Sequence, residues 1–257
     1  MDPFSTLETW LNYLNLAGDV AVVLALAGRK LARVYRILLL YFLVDLLASL
    51  LGLGFDRRYA YQAYYVGQAV KWILAFWFIL DLYGRVLAPH PALAKFGRAA
   101  VGVLLAVAVA VSLPGFLLEL YRPYDPDLNF FLFSRFERTA DSAVAILLLL
   151  ISAFLVWYPV KMRRNVVSYL AGFTVYFTVR AVGLTAMDWW RIYFQQVDAA
   201  VLAVALGCMV FWAVVMRPEG ETQTVSGHGW NPQEAERLSL QLDHANEWMA
   251  RLLRGGP

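Results

Sequence analysis

The sequence contains few charged residues and a single cysteine. Asp, Glu, Lys and Arg make up 16% of the 257 residues, whereas about 25% is typical of a soluble domain. The one cysteine, Cys208, excludes an intrachain disulfide. Met1–Glu8 carries no basic residue, unlike the start of a signal peptide, so we expect the first apolar segment to stay in the mature protein. The shortage of charge indicates that lipid, rather than water, surrounds most of the chain.

The residues that most cofactor and hydrolase sites need are missing from the apolar segments. His90, His228 and His244 all lie outside them, which disfavours an intramembrane zinc or haem site because imidazole is the usual ligand for both. The sequence has no phosphate-binding glycine-lysine loop, GxSxG elbow or HExxH pair. Lys71 lies in the third apolar segment, whereas a retinal protein normally has its Schiff-base lysine in the seventh. We therefore expect no enzyme activity, metal or cofactor.

Seven apolar runs of about 20 residues follow one another along the chain, which is the length that a helix needs to cross a bilayer. Stretches such as Ile146–Trp157 do not alternate in the manner of β-barrel strands. We therefore predict an all-α fold, a seven-transmembrane helix bundle. The predicted spans are Leu11–Gly28, Val34–Gly54, Tyr59–Leu87, Ala99–Leu118, Thr139–Tyr158, Val166–Met187 and Tyr193–Met216.

Basic residues divide unequally between the two sides of these spans. Because basic residues near span ends stay in the cytoplasm, we predict an outward N-terminus, a cytoplasmic C-terminus and a bacterial inner-membrane location. The same rule explains the net charge of +3 without a nucleic-acid partner. The richer side holds Arg29, Lys30, Arg33, Arg36, Arg85, Lys95, Arg98, Lys161, Arg163, Arg164 and Arg217, and the poorer side holds Arg57, Arg58, Arg122, Arg135, Arg138 and Arg191.

The chain becomes polar after Arg217. We predict a transmembrane domain over residues 1–217, a polar linker over 218–231 and a short cytoplasmic amphipathic helix over 232–254. Asn231 is a favourable N-cap before Pro232. The helix could pair with another copy or a partner protein, pack beneath the bundle, or lie on the inner membrane surface. The residues predicted to form the pairing seam are Leu238, Leu242, Ala245, Met249 and Leu252.

Three charged residues fall near the middle of the first three predicted spans: Asp19, Asp45 and Lys71. A charge at the bilayer centre is costly unless it is paired or hydrated. We therefore expect these side chains to meet as an intramembrane polar triad. Polar neighbours at helical spacing, such as Asn15 and Gln68, favour a polar seam between the helices.

A second charged set lies in the outer half of the last three predicted spans. Asp141, Arg180 and Asp198 lie on the fifth, sixth and seventh, and Glu137 stands one turn before Asp141. Because a guanidinium can bind a carboxylate through two parallel hydrogen bonds, we expect Arg180 to bridge Asp141 and Asp198 in a ligand or ion pocket.

Aspartates outnumber bases across these two sets. At least one carboxyl group is therefore expected to bind a proton or a cation. The alternative for both sets is static pairing between helices, since polar contacts in membranes are worth only about 1 kcal/mol.

Short motifs follow the third predicted span, at Pro91–Leu93 and Gly97–Arg98, and Glu137–Arg138 opens the fifth. Together with the amphipathic tail, these motifs resemble those of an uncharacterised bacterial seven-span integral membrane protein family. The resemblance covers nearly the whole chain and implies the same fold. The family has no assigned activity, so the resemblance assigns no site residue.

Two functions fit the sequence. In the first, the protein is a receptor-like or scaffold membrane protein whose outer pocket, at Asp141, Arg180 and Asp198, binds a ligand. The tail helix then contacts a second copy of the chain, forming an oligomer, or a cytoplasmic partner. In the second, it is an ion channel or proton-coupled transporter whose path uses Asp19, Asp45 and Lys71. The long linker and heptad favour the first, and the surplus of buried acid favours the second.

Overall fold

The computed structural model describes residues 3–54, 57–87, 90–99, 101–103, 126–158, 161–190, 193–226 and 231–253. The helices in these ranges are α1 (Pro3–Gly28), α2 (Arg36–Gly54), α3 (Arg57–Val86), α4 (91–99 and 101–103), α5 (Pro126–Trp157), α6 (Arg164–Trp189), α7 (Phe194–Val215) and α8 (Pro232–Leu253). Two short strands, β1 (Lys161–Arg163) and β2 (Thr224–Ser226), and a 3-10 turn, Pro218–Glu221, are also present. The predicted all-α fold class is confirmed.

Five helices within the described ranges are long and apolar enough to cross a membrane: Thr6–Gly28, Tyr64–Val86, Glu137–Trp157, Arg164–Met187 and Phe194–Val215. Large apolar side chains project from their outer faces, whereas several charged side chains are buried inside. A soluble protein has the reverse distribution. The fold is therefore that of a membrane protein. Apolar side chains that are more than half exposed include Leu24, Ile73, Leu150, Val182 and Val210.

The predicted spans agree with the helices, with three exceptions. Helix α1 begins at Pro3 rather than at Leu11. Most of the fourth predicted span, 104–118, lies outside the described residues. Helix α5 begins at Pro126 rather than near Thr139, so residues 126–138, which lie between the fourth and fifth predicted spans, are helical. Proline is well suited to the first turn of a helix, which is consistent with this earlier start.

The helices pack in the order of the sequence. Helix α1 contacts α2 and α7, α2 contacts α3, α3 contacts α5, α5 contacts α6, and α6 contacts α7. These six helices therefore form a closed ring. We call the end where α1, α3 and α7 begin the N-terminal end, and the opposite end, from which the chain continues to α8, the tail end.

Aromatic side chains fill the tail half of the ring. The ring of Phe173 lies 4.6 Å from that of Phe78 and 4.8 Å from that of Trp212, measured between centroids. Gly172 permits this packing, because a Cβ atom there would collide with the Trp212 indole. Tyr41 adds an edge-on contact to Phe173 at 5.5 Å. Aromatic pairs of this kind stabilise a core beyond the area that they bury.

A polar cluster around Glu221 ties three connections together at the tail end. The Glu221 carboxylate accepts hydrogen bonds from Tyr35 Oη (2.6 Å), Asn165 Nδ2 (2.8 Å) and Arg163 Nη1 (2.9 Å). Burial opposes ionisation, but these hydrogen bonds hold the pKa of Glu221 below its ordinary value. Strands β1 and β2 pair antiparallel beside it. Part of the predicted linker is thus a turn and a strand joined to the bundle.

Helix α8 is present where the tail helix was predicted. Asn231 Oδ1 accepts a hydrogen bond from Gln233 N at 3.4 Å, consistent with its N-cap role. Asn246 Oδ1 accepts from the backbone N of Ala92 (2.9 Å) and Leu93 (3.3 Å), so α8 provides a cap for the first turn of α4. The tail helix is therefore attached to the connection after α3.

The predicted pairing seam on α8 is divided between buried and exposed positions. Leu242 is buried against its own chain, Leu238 and Met249 are half-buried, and Ala245 and Leu252 are exposed. The exposed part of the seam remains available for another protein or for lipid.

Candidate functional site

A cavity of about 680 Å³ lies inside the ring. It is lined by residues of α1, α2, α3, α5, α6 and α7, and exposed Thr9 and Tyr13 line its N-terminal end. In the part of the chain that the structure describes, the cavity is therefore reached from that end. Both charged sets predicted from the sequence meet here, since Asp19, Lys71 and Arg180 line the same space.

Lys71 and Asp45 form an ion pair in the cavity wall. Lys71 Nζ donates to Asp45 Oδ1 at 2.8 Å, and the ammonium also lies 5.1 Å from the centre of the Tyr41 ring. The Lys71 side chain is 6% exposed and that of Asp45 is 23% exposed. The pair satisfies a buried charge, and the ring face adds a favourable cation–π contact.

Arg180 joins two acids of α5. Its Nε donates to Asp141 Oδ2 at 2.6 Å, and its Nη2 donates to Glu137 Oε1. Trp72 Nε1 donates to the other oxygen of Asp141 at 3.2 Å, and Tyr64 Oη donates to Glu137 at 3.2 Å. In the part of the chain that the structure describes, Arg180 does not form the predicted bridge to Asp198. Glu137 replaces Asp198 because it precedes Asp141 by one helical turn, so both acids face Arg180.

Two tyrosines connect the Lys71 pair with the Arg180 cluster. Arg180 Nη1 donates to Tyr176 Oη at 3.1 Å, and the hydroxyl groups of Tyr176 and Tyr41 are 3.4 Å apart. Tyr41 in turn lies under Lys71. A continuous polar network therefore crosses the interior from α2 and α3 to α5 and α6.

Asp19 lines the same cavity as Asp45 and Lys71 and is close enough to interact electrostatically with both, but the ion pair of Lys71 is with Asp45. Asp19 is 2% exposed, and its Oδ1 has no hydrogen-bond partner among the described residues. Lys71 bonds only one of the two aspartates, Asp45. Asp19 and Asp45 thus share one lysine, which leaves Asp19 as a surplus acid.

Asp198 lies near the N-terminal end of the cavity, which it lines together with Glu8. The two carboxyl groups are close enough to interact electrostatically. Acidic side chains therefore lie at the mouth of the cavity as well as deeper inside, at Asp19.

Several residues of the site carry no signal that sequence reasoning used. Glu8 lines the cavity and Trp72 donates a hydrogen bond to Asp141, although neither belongs to the two charged sets predicted from the sequence. Tyr176 precedes Arg180 by four residues, one helical turn, so a search for Tyr and Trp at helical spacing from the charged positions could have found it. Trp72 directly follows Lys71 and therefore lies on a different face of α3, so the same search starting from Lys71 would have missed it.

Metal binding and comparison with known proteins provide no further assignment. Among the residues that the structure describes, no group of three or more His, Cys, Asp or Glu is arranged to hold a metal ion. No protein-family model matches the sequence, and no curated protein or solved structure matches it. The predicted resemblance to bacterial seven-span proteins therefore stays a prediction, and function has to be argued from the cavity.

Proposed function

We propose that the protein is a receptor-like seven-helix protein of the bacterial inner membrane, which binds a small solute in its central cavity. In this proposal the N-terminal end faces outward, the tail end faces the cytoplasm, and α8 contacts a cytoplasmic partner or a second copy. The excess of basic residues on the tail side supports this orientation. The two helices needed beyond the five candidate spans are α2, with 19 largely apolar residues, and the predicted span Ala99–Leu118.

The observation that carries the proposal is the combination of an accessible N-terminal end with a filled tail end. The cavity has the size of a small-molecule pocket, which is about 300–1,000 Å³. Below it, the aromatic side chains around Phe173 and the polar cluster around Glu221 fill the interior. A solute could therefore enter from outside and be held, which is what a receptor requires.

The attachment of α8 supports a path for the signal. Asn246 bonds the backbone after α3, and α3 carries Lys71 in the cavity wall. A movement of α3 on ligand binding would therefore change the position of α8. The exposed residues Ala245 and Leu252 provide the surface that a partner would contact.

Labelling of a cavity cysteine from outside tests the proposal. In a Cys208→Ala background, Ser49→Cys places one thiol in the cavity wall, and Ile73→Cys places one on the apolar outer face, where Ile73 is 66% exposed. We expect a membrane-impermeant maleimide added outside right-side-out vesicles to label the first variant and not the second. Labelling of neither variant, or of Ser49→Cys only after the vesicles are opened, would contradict an outward-facing cavity.

Proton-coupled transport or channel activity is the second candidate, and the surplus acid Asp19 favours it. A buried carboxyl group without a partner can bind and release a proton during a transport cycle. Flux into liposomes separates the candidates, measured for the parent and for Asp45→Asn and Lys71→Met variants. Flux that depends on both residues would establish transport, and no flux in the parent under any ion gradient would eliminate it.

A further inference from the structure

Two residues of α1 that line the cavity, Asn15 and Asp19, each have a buried side-chain oxygen, Oδ1, without a hydrogen-bond partner among the described residues. They stand one helical turn apart and therefore on the same face. The orientation of the Asn15 amide is fixed, because its Nδ2 donates to Leu11 O at 2.8 Å and to Leu202 O at 3.1 Å. Both unpartnered atoms are acceptors. They require a group that donates hydrogen bonds.

The charges around the cavity add a second requirement. Lys71 and Arg180, the cationic side chains that line it, already bond Asp45 and the two acids of α5, respectively. Asp19 thus has no cation of its own among the described residues. A buried carboxylate is stable only when a positive charge or a proton neutralises it. A donor that is itself positively charged meets both requirements.

The size of the cavity and its apolar wall point to an organic cation. The volume of about 680 Å³ is many times the roughly 30 Å³ that one water molecule occupies in the liquid, so it exceeds what a single inorganic ion fills. Apolar side chains of α1, α6 and α7 form part of the wall. They are Leu16, Leu184, Val201, Leu202, Ala205 and Met209.

From these features we infer that the cavity binds a small organic amine in its protonated form. The ammonium group donates to Asn15 Oδ1 and Asp19 Oδ1, and the hydrocarbon part lies against the apolar wall. A primary ammonium has three N–H donors, enough for both oxygens. This inference rests on the proposed function, since it names the class of solute for the same cavity.

Calorimetric titration of the full chain in nanodiscs at pH 7 tests the inference, with n-butylammonium as the probe. Butanol, butyrate and sodium chloride are the neutral, anionic and inorganic comparisons. We expect butylammonium to bind with one-to-one stoichiometry and the three comparisons to bind far more weakly. Asp19→Asn should lower the affinity about tenfold to a hundredfold, because it removes a charged hydrogen-bond partner. Asp81→Asn is the matched control, since Asp81 pairs with Arg85 and does not line the cavity.

Ala205→Phe provides a second variant that does not depend on the charge. It should abolish butylammonium binding by filling the apolar side of the cavity, and it keeps the test decisive if Asp19→Asn does not fold. Sodium binding that equals that of butylammonium and depends on Asp19 would overturn the inference in favour of an inorganic cation. No binding of butylammonium would also overturn it. In either case the Ser49→Cys labelling result decides separately whether the proposed solute-binding function survives.

Discussion

Replacing Arg180 with methionine removes the positive charge from between two buried carboxyl groups. Glu137 is 5% exposed and Asp141 is 0% exposed, so both carboxyl groups are largely shielded from water, although Glu137 lines the cavity. Each carboxyl group must then remain an uncompensated charge or take up a proton. Protonating an ordinary Asp or Glu at pH 7 costs about 4 kcal/mol, which sets an upper limit of about 8 kcal/mol for the two.

The expected loss is smaller than this limit, because Trp72 and Tyr64 still donate to the two acids. Removing one partner of a buried ion pair typically costs about 3–5 kcal/mol. For a domain of this size, 1 kcal/mol shifts the Tm by about 2–4 °C. We therefore expect Arg180→Met to lower the Tm by on the order of 10 °C at pH 7, measured by thermal unfolding in one detergent.

The pH dependence of this loss identifies its cause. In the variant, the folded state binds protons that the unfolded state has released at pH 7, so its stability decreases as pH rises. As the pH is lowered from 7 to 5, the difference in the free energy of unfolding between parent and variant should therefore decrease. The decrease should be about 1.4 kcal/mol per pH unit for each carboxyl group that takes up a proton. Adding Glu137→Gln and Asp141→Asn to Arg180→Met should restore much of the Tm. A variant as stable as the parent at pH 7, or a deficit independent of pH, would refute the reasoning.

Three further predictions concern the rest of the fold. Glu221→Gln should lower the Tm at pH 7. Because the pKa of Glu221 is lowered in the folded protein, the ionised side chain stabilises the fold above its ordinary pKa of 4.5, and this contribution is lost below that pH. The Tm values of parent and variant should therefore converge at acid pH, and a difference that is constant with pH would contradict this. Gly172→Ala should lower the free energy of unfolding by about 1–3 kcal/mol, because the added methyl group would collide with Trp212. Gly207→Ala is the control, since a Cβ atom there meets no atom within 4 Å, and thermal unfolding should show no decrease in its Tm. Deletion of Pro232–Pro257 should abolish any oligomer or co-purifying partner, and an unchanged oligomer by light scattering would remove that role from α8.

The helices could be predicted because their signal is local. Runs of apolar residues give the positions of α2, α3, α6 and α7 and the end of α1 to within a few residues, and the Asn231–Pro232 pair marks the start of α8. The beginning of α5 was missed, because the segment from Pro126 mixes charged, polar and aromatic residues and its apolar run, Phe130–Phe133, has only four residues. A helix of such mixed composition cannot be predicted from amphipathic or apolar sequence patterns.

The charged residues of the candidate site could be predicted from the sequence, but the ion pairs that they form could not. Depth along the helices identified the charged residues, and the cost of a buried charge implied that they face inward. Which acid pairs with which base depends on the rotation of each helix in the ring. Glu137 rather than Asp198 therefore became the second partner of Arg180, and Asp19 was left without a base. The cluster around Glu221 joins residues as much as 186 positions apart, which no local pattern could indicate.

A density map of the full chain in lipid nanodiscs tests the central claim most directly, namely that the ring encloses a polar cavity and presents its apolar faces to lipid. We predict acyl-chain density against Leu24, Ile73 and Val182, and water or solute density beside Asp19 inside the ring. Acyl chains in contact with Lys71 or Arg180, or a ring interior packed solid around Asp19, would contradict it.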